Sequence, residues 1–240
     1  MEWFIDNFSY IAELTGYHLV QAILPLVFGV VIAIPVAQLA RLNKPLGGVI
    51  LTTSALLYTV PSLAMFVLLP LILGTQVLDM ANVIVALTIY AVALLIRSTL
   101  DALNSIDDGV RQAAVAMGFT PLRRFLTVDL PLSIPVLFAG LRVISVTNIS
   151  LVSVGALIGI PSLGTLFTDG LFRSFPTEIV IGIVVTLILA LVMDLLLVVL
   201  EKVLTPWARA AKVTEKPIDP MAVTREANLS ADAARAGGVY

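Results

Sequence analysis

Charged residues are so sparse in this chain that four stretches run without one: 14–40 between Glu13 and Arg41, 45–78 between Lys44 and Asp79, 80–96 between Asp79 and Arg97, and 143–168 between Arg142 and Asp169. About 20 apolar residues suffice for a helix to cross a hydrocarbon core of ~30 Å. Backbone inside lipid has no water to bond, so the helix, which satisfies its own N–H and C=O groups, is the expected form. With a mean hydropathy of +1.05 and only 12% charged residues, the pattern predicts an all-α integral membrane protein with about five transmembrane helices. They are expected at 18–40, 49–73, 80–97, 133–155 and 179–203, the fourth carrying Arg142 and the fifth Asp194.

The same composition excludes several kinds of chemistry. Cysteine is absent and His18 is the only histidine, so disulfides, thiolate metal sites and cysteine nucleophiles cannot occur, and no metal site is expected. A net charge of −2 and a pI near 5.3 create no basic field of the kind nucleic acid requires. The phosphate-loop pattern GxxxxGK[ST] does not occur; Gly159-Ile-Pro-Ser-Leu-Gly164 has no lysine. The chain is therefore expected to be non-catalytic, with no cofactor of its own.

Orientation follows from where Lys and Arg gather, since they favour the cytoplasmic side. Arg41 and Lys44 follow the first expected span, Arg97, Arg111, Arg123 and Arg124 the third, and Lys202, Arg209 and Lys212 the fifth. Arg173 alone stands on the other side, among Glu2, Asp6, Glu13, Asp79, Asp169 and Glu178. The N-terminus is expected outside and the C-terminus inside, as an odd number of spans requires. The first residues are acidic and lack a small-residue cleavage site, so no removable signal peptide is expected.

Three segments read as something other than spans. Residues 1–17 place Trp3, Phe4, Phe8 and Ile11 on one helical face, suiting an interfacial helix or a short cap on the bundle. Residues 156–178, with Gly159, Pro161, Gly164, Gly170 and Pro176, read as an outer loop or re-entrant segment that needs cover from protein or water. Beyond the membrane domain at 18–205, residues 206–240 turn polar and Ala-rich and read as a flexible cytoplasmic tail.

The longest loop inside the membrane domain, 98–132, contains a helix-forming run from Val110 to Met117, a stop at Gly118, a turn at Pro121 and an amphipathic stretch ending at Pro131. Two short helices about a turn can project as one rigid knob. This stretch resembles the coupling loop of ABC importer permeases, whose pattern runs Glu-Ala-Ala, three residues, Gly, nine residues, Ile, one residue, Leu-Pro. Ala113, Ala114, Gly118, Val128, Leu130 and Pro131 fall in register, with Gln112 in place of the Glu and Val128 in place of the Ile. The neutral Gln112 would make a weaker contact than a carboxylate.

A wider resemblance covers roughly residues 18–205. Tyr58-Thr-Val-Pro-Ser-Leu-Ala-Met-Phe66, Thr120-Pro-Leu, Leu130-Pro-Leu-Ser-Ile-Pro135, Ala139-Gly-Leu-Arg142, Ile158-Gly and Leu163-Gly164 are similar to the permeases for glycine betaine, carnitine and choline. The chain departs from that family at Ile160-Pro-Ser-Leu-Gly164, where Ala-Gly-Gly-Leu-Gly is usual, and at Leu94-Leu-Ile96, where a Pro is usual. The resemblance implies a type I ABC importer (MetI-like) permease fold in a bacterial cell membrane. It also implies two ATP-binding subunits carrying ATP and Mg inside, an extracytoplasmic substrate-binding protein, and a second permease copy or paralogue. Substrate would cross by alternating access. An amino-acid importer, for methionine for example, shares the five-helix plan and is the alternative; a membrane scaffold or enzyme is the remote one.

Within the membrane, Arg142 and Asp194 lie at matching depth, roughly 10–12 Å from the inner ends of their spans by helical rise, which suggests an ion pair because unpaired charge there is costly. A quaternary ammonium calls for aromatic faces, making Tyr58, Phe66 and Tyr90, with Pro61 and Ser62, the candidate substrate path. Pro61 and Pro70 are expected to bend the second helix, Asn148 and Gln38 to bond between helices, and His18 to be structural.

Overall fold

The structure, a computed structural model, describes residues 2–207. The chain divides into two units, 1–204 and 205–240; of the second, only residues 205–207 are described, with Pro206 and Trp207 helical. The tail expected at 206–240 thus lies almost wholly outside the described residues.

The described residues of the first unit are mostly helical, with ten α-helices: α1 Glu2–Asp6, α2 Phe8–Leu42, α3 Lys44–Thr59, α4 Ser62–Leu73, α5 Met80–Asn104, α6 Asp108–Ala116, α7 Pro121–Arg124, α8 Leu130–Val152, α9 Thr165–Phe172 and α10 Pro176–Leu204. A π-helical turn, Phe125–Asp129, leads into α8, and a 3-10 segment, Ser153–Ile158, leaves it. Four helical stretches, Phe8–Leu42, Met80–Asn104, Pro121–Ile158 and Pro176–Leu204, are long and apolar enough to cross a membrane; a fifth crossing arises if the bent pair α3–α4 counts as one.

Three expectations change. The loop expected at 98–132 narrows to 105–120 around α6, because α5 continues to Asn104 and helical backbone resumes at Pro121 and runs on through α8 to Ile158 instead of starting near 133. The first helix does not begin near residue 18: α2 is one helix of 35 residues, about 50 Å at 1.5 Å per residue, so its first turns extend beyond a hydrocarbon core. Residues 8–17 belong to it, and only α1 stands apart. The second expected span is also not one helix. It starts earlier, at Lys44, and breaks at Val60–Pro61, where α3 and α4 meet at 103°. Pro61 has no N–H and forces the preceding residue out of helical geometry; Val60 and Pro61 both take extended conformations, with ψ of 129° and 132°. Pro70, by contrast, sits inside α4 without ending it.

Small residues set the closest helix packing. Gly29, Ala33 and Ala37 recur every fourth residue on the buried side of α2, and a Cβ at Gly29 would come within 2.9 Å of the Ala91 Cβ on α5. Such stripes let backbones approach where lipid offers no hydrophobic drive between helices. Gly140 does the same for α8 against α5, where a Cβ would meet Ser98 Cβ at 2.6 Å. Most large side chains of α10 remain exposed, including Leu187, Leu191, Leu195 and Val199, as suits a helix whose neighbour is lipid or another apolar chain.

Candidate functional site: the knob, the cavity and the buried clasps

One end of the bundle carries the turn between α2 and α3 together with α6, α7 and the π-turn; it is called the Arg-rich end, and the opposite end, with α1, α4 and α9, the N-terminal end. At the Arg-rich end, α6 is capped by the Asp107 carboxylate, which accepts from Gly109 N at 2.6 Å. The helix closes with two crossed backbone bonds: Gly118 N donates to Val115 O at 2.9 Å and Phe119 N to Ala114 O at 3.1 Å. This closure needs a left-handed residue, and Gly118 supplies it with φ of +79°. Thr120 caps α7 by accepting from Arg123 N, with Pro121 in its first turn, and the Arg123 guanidinium lies 4.5 Å from the Phe119 ring centre. The result is a helix–turn–helix knob.

Of the coupling residues expected from sequence, Ala114 is buried beneath α6, Gln112, Ala113, Gly118 and Pro121 are exposed, and Val128, Leu130 and Pro131 are half-buried where the knob rejoins α8. Exposed Val115, Met117 and Leu122 give the knob an apolar crest.

What fastens the knob was missed in the sequence. Asp129, with a fully buried side chain, accepts from Arg41 of α2 at 3.1 Å, with Arg111 of α6 and Arg124 of α7 each at 3.7 Å. Arg111 also donates to the Leu103 carbonyl at the end of α5 and to Asp108 at 2.9 Å. One carboxylate thus ties both knob helices to α2 and to the start of α8. An acid at the mouth of an apolar span beside a loop rich in arginine was the available signal. Gln38, expected between helices, instead accepts from Arg41 on its own helix at 3.5 Å.

Arg142 and Asp194 meet in a two-pronged pair between α8 and α10, with Nε to Oδ1 at 2.6 Å and Nη2 to Oδ2 at 2.7 Å. The Tyr58 hydroxyl-bearing ring packs edge-on against Tyr90, centres 5.9 Å apart, and the Tyr90 hydroxyl donates to Val60 O at 2.7 Å, satisfying a carbonyl at the break before Pro61. Phe66 and Tyr90 are buried in the core, Pro61 is exposed and Ser62 half-buried. Of these five residues, Tyr58 alone lines the cavity of about 420 Å³ that opens on the face of α3, α5 and α8, where it is joined by Ser54, Ala55, Arg97, Ser98 and Val143.

At the N-terminal end the chain folds back as a buried loop. Ile160, Ser162 and Leu163 are fully covered, and α2 supplies the polar partners: His18 Nδ1 accepts from Leu163 N at 3.3 Å, so Nε2 carries the proton and donates to Ile149 O at 3.0 Å. Gln21 donates to Pro161 O at 2.8 Å. Both ring nitrogens of His18 are engaged within the protein. Buried non-helical backbone at membrane depth is tolerated when so covered. Asn148, expected to bond between helices, is buried with no partner for its Nδ2. No group of three His, Asp or Glu among the described residues is placed to hold a metal.

A multi-pass helical bundle with a helix–turn–helix knob fastened at one end defines a membrane permease component. Residues 26–210 match the family of binding-protein-dependent transport system inner membrane components, and the chain belongs to that family. Among curated relatives, the osmoprotectant import permease protein OsmW of Salmonella typhimurium is 33% identical over 86% of this chain and 97% of its own length. The choline transport system permease protein OpuBD of Bacillus subtilis is 30% identical over 86% and 90%, and the carnitine transport permease protein OpuCD of Listeria monocytogenes is 27% identical over 86% and 92%. In fold, the chain is similar to inward-facing structures of the MetNI methionine ABC transporter, with a TM-score of 0.72 at 21% identity over 81% of this chain and 96% of that one. A crystal structure of an amino acid ABC transporter with histidines gives 0.69 at 17% identity over 82% and 95%. The architecture is thus the type I importer permease fold.

Proposed function

We propose that this chain is the membrane permease of an ATP-driven importer for compatible solutes carrying a quaternary amine, such as glycine betaine, carnitine or choline. Support for the substrate class comes from the names of the relatives, which match nearly their full length. The observation that carries the mechanism is the fastened knob. Its exposed crest beside Gly118 suits docking on a soluble motor, and the Asp129 clasp passes any displacement of α6 to α2 and α8. A rigid element linked by buried ion pairs transmits motion instead of absorbing it.

In this reading the Arg-rich end faces the cytoplasm and two ATP-binding subunits, which hold ATP and Mg, press on the knobs of two permeases, like or unlike. The N-terminal end, with the loop clamped by His18 and Gln21, faces an extracytoplasmic binding protein. Nucleotide-driven closure then exposes the path alternately to either side. The chain itself contributes no catalytic residue and no cofactor.

The test is uptake by the complete importer in proteoliposomes loaded with ATP, with radiolabelled glycine betaine, carnitine, choline and methionine compared. Uptake of one or more of the trimethylammonium solutes, dependent on ATP and on the binding protein, is the expected result. Uptake of methionine alone would move the chain to the amino-acid importers.

A further inference from the structure

Arg97 is unlike the other arginines of the membrane bundle. Arg41, Arg111, Arg124 and Arg142 each face a carboxylate, and Arg123 lies over Phe119. The Arg97 side chain is exposed, and no hydrogen bond or ion pair engages it among the described residues. It stands seven residues before the end of α5, which closes at Asn104, and thus about 10 Å up the helix. It also closes the third expected span at 80–97, so it sits at the inner membrane interface with its guanidinium exposed and free to meet an anion.

A cavity opens beside it. Arg97 and Ser98 line one part of the 420 Å³ cavity and Tyr58 another, while Ala55 and Val143 make its walls apolar. The volume lies in the range of small-molecule sites, which combine apolar walls with a few placed polar groups. Along α5, Tyr90 precedes Arg97 by seven residues, about two turns. Because the Tyr58 ring packs against Tyr90, the aromatic and cationic ends of the cavity are separated along the helix axis.

We propose that this cavity binds a small zwitterion, with the Arg97 guanidinium and Ser98 hydroxyl holding its carboxylate and the Tyr58 ring facing its trimethylammonium group. The inference rests on the compatible-solute reading and narrows it to solutes that carry a carboxylate. A planar guanidinium takes a carboxylate through two parallel charge-assisted bonds, and an aromatic face attracts a quaternary ammonium that has no proton to donate. A trimethylammonium alcohol satisfies only the second contact and leaves the cation beside Arg97 uncompensated. Arg97 therefore acts as a specificity determinant, favouring glycine betaine and carnitine over choline.

The complete importer in proteoliposomes tests this with wild type, Arg97→Gln and Arg97→Lys, read by initial uptake of the three labelled solutes. Loss of a charge-assisted bond should lower the ratio of glycine betaine or carnitine uptake to choline uptake on the order of tenfold in Arg97→Gln, with Arg97→Lys intermediate. If wild type carries only the carboxylates, their loss in Arg97→Gln and partial recovery in Arg97→Lys, in a complex purified in normal yield, supports the site. An equal fall for all three solutes, a fall that accompanies loss of the assembled complex, unchanged ratios, or a wild type that carries choline alone overturns it. A wild type that carries none of the three instead contradicts the compatible-solute reading on which the site rests.

Discussion

Asp129 lies buried among three guanidiniums drawn from positions 41, 111 and 124. Removing its charge leaves Arg41 without its closest anion, and breaking a buried pair from one side costs about 3–5 kcal/mol. Asp129→Asn should therefore lower the heat-denaturation midpoint of the purified permease well beyond Asp108→Asn, since Asp108 meets the same Arg111 from a largely exposed position. Equal midpoints would remove Asp129 from its role as clasp. For Arg142 and Asp194 the expectation is reciprocal: each single neutralisation, Arg142→Gln or Asp194→Asn, should lower the yield of folded protein more than the double variant does. A double variant no better than the worse single would count against their mutual dependence. Counting residues from the span ends was enough to set these two at one depth. Asp129 was not legible that way, because its partners come from three different elements and the nearest in space, Arg41, lies 88 residues away in sequence. His18 read as structural from its isolation, but nothing local revealed that the chain at 149 and 163 supplies its partners.

At the scale of elements, spacing of charge located the helices because charge at the bilayer centre is expelled. It did not locate the start of α2, since Glu13 ends a hydrophobic count without ending a helix. The α3–α4 corner was half legible: Pro61 announced a bend, yet a turn of 103° also needs a partner for the freed carbonyl, and Tyr90 provides it from α5. Tyr90→Phe should cost about 1 kcal/mol, seen as a modest fall in the denaturation midpoint; no change would mean that the corner holds without this bond. The α2–α5 contact is less forgiving. Gly29→Val places its first added carbon 2.9 Å from Ala91, so the variant should yield little monodisperse protein after detergent extraction, whereas Gly16→Val, with open space around it, should extract normally. The knob was the most legible element, because a left-handed glycine after a short helix leaves a direct mark in the sequence. Valine at Gly118 must adopt a φ near +79°, which costs roughly 1–2 kcal/mol and distorts the crest.

For the whole molecule, the proposed orientation predicts opposite accessibility for the two ends. The absence of cysteine makes this direct to measure: in intact cells, Ser9→Cys near the start of α2 should react with an impermeant thiol reagent, and Ala116→Cys at the end of α6 only after permeabilisation. The reverse pattern would invert the topology. The cavity beside Arg97 was invisible at this scale from sequence, where Arg97 read simply as a cation at an inner helix end; the cavity it lines emerges only when α3, α5 and α8 are assembled. The central claim, that the knob clasped by Asp129 joins this permease to an ATPase, is tested most directly by affinity purification of the tagged protein from its native membrane in mild detergent, followed by identification of what stays bound. Wild type should retain an ATP-binding subunit, and Gly118→Val, purified as an intact membrane protein, should lose most of it. Wild type without an ATPase, or full retention by Gly118→Val, would contradict the account.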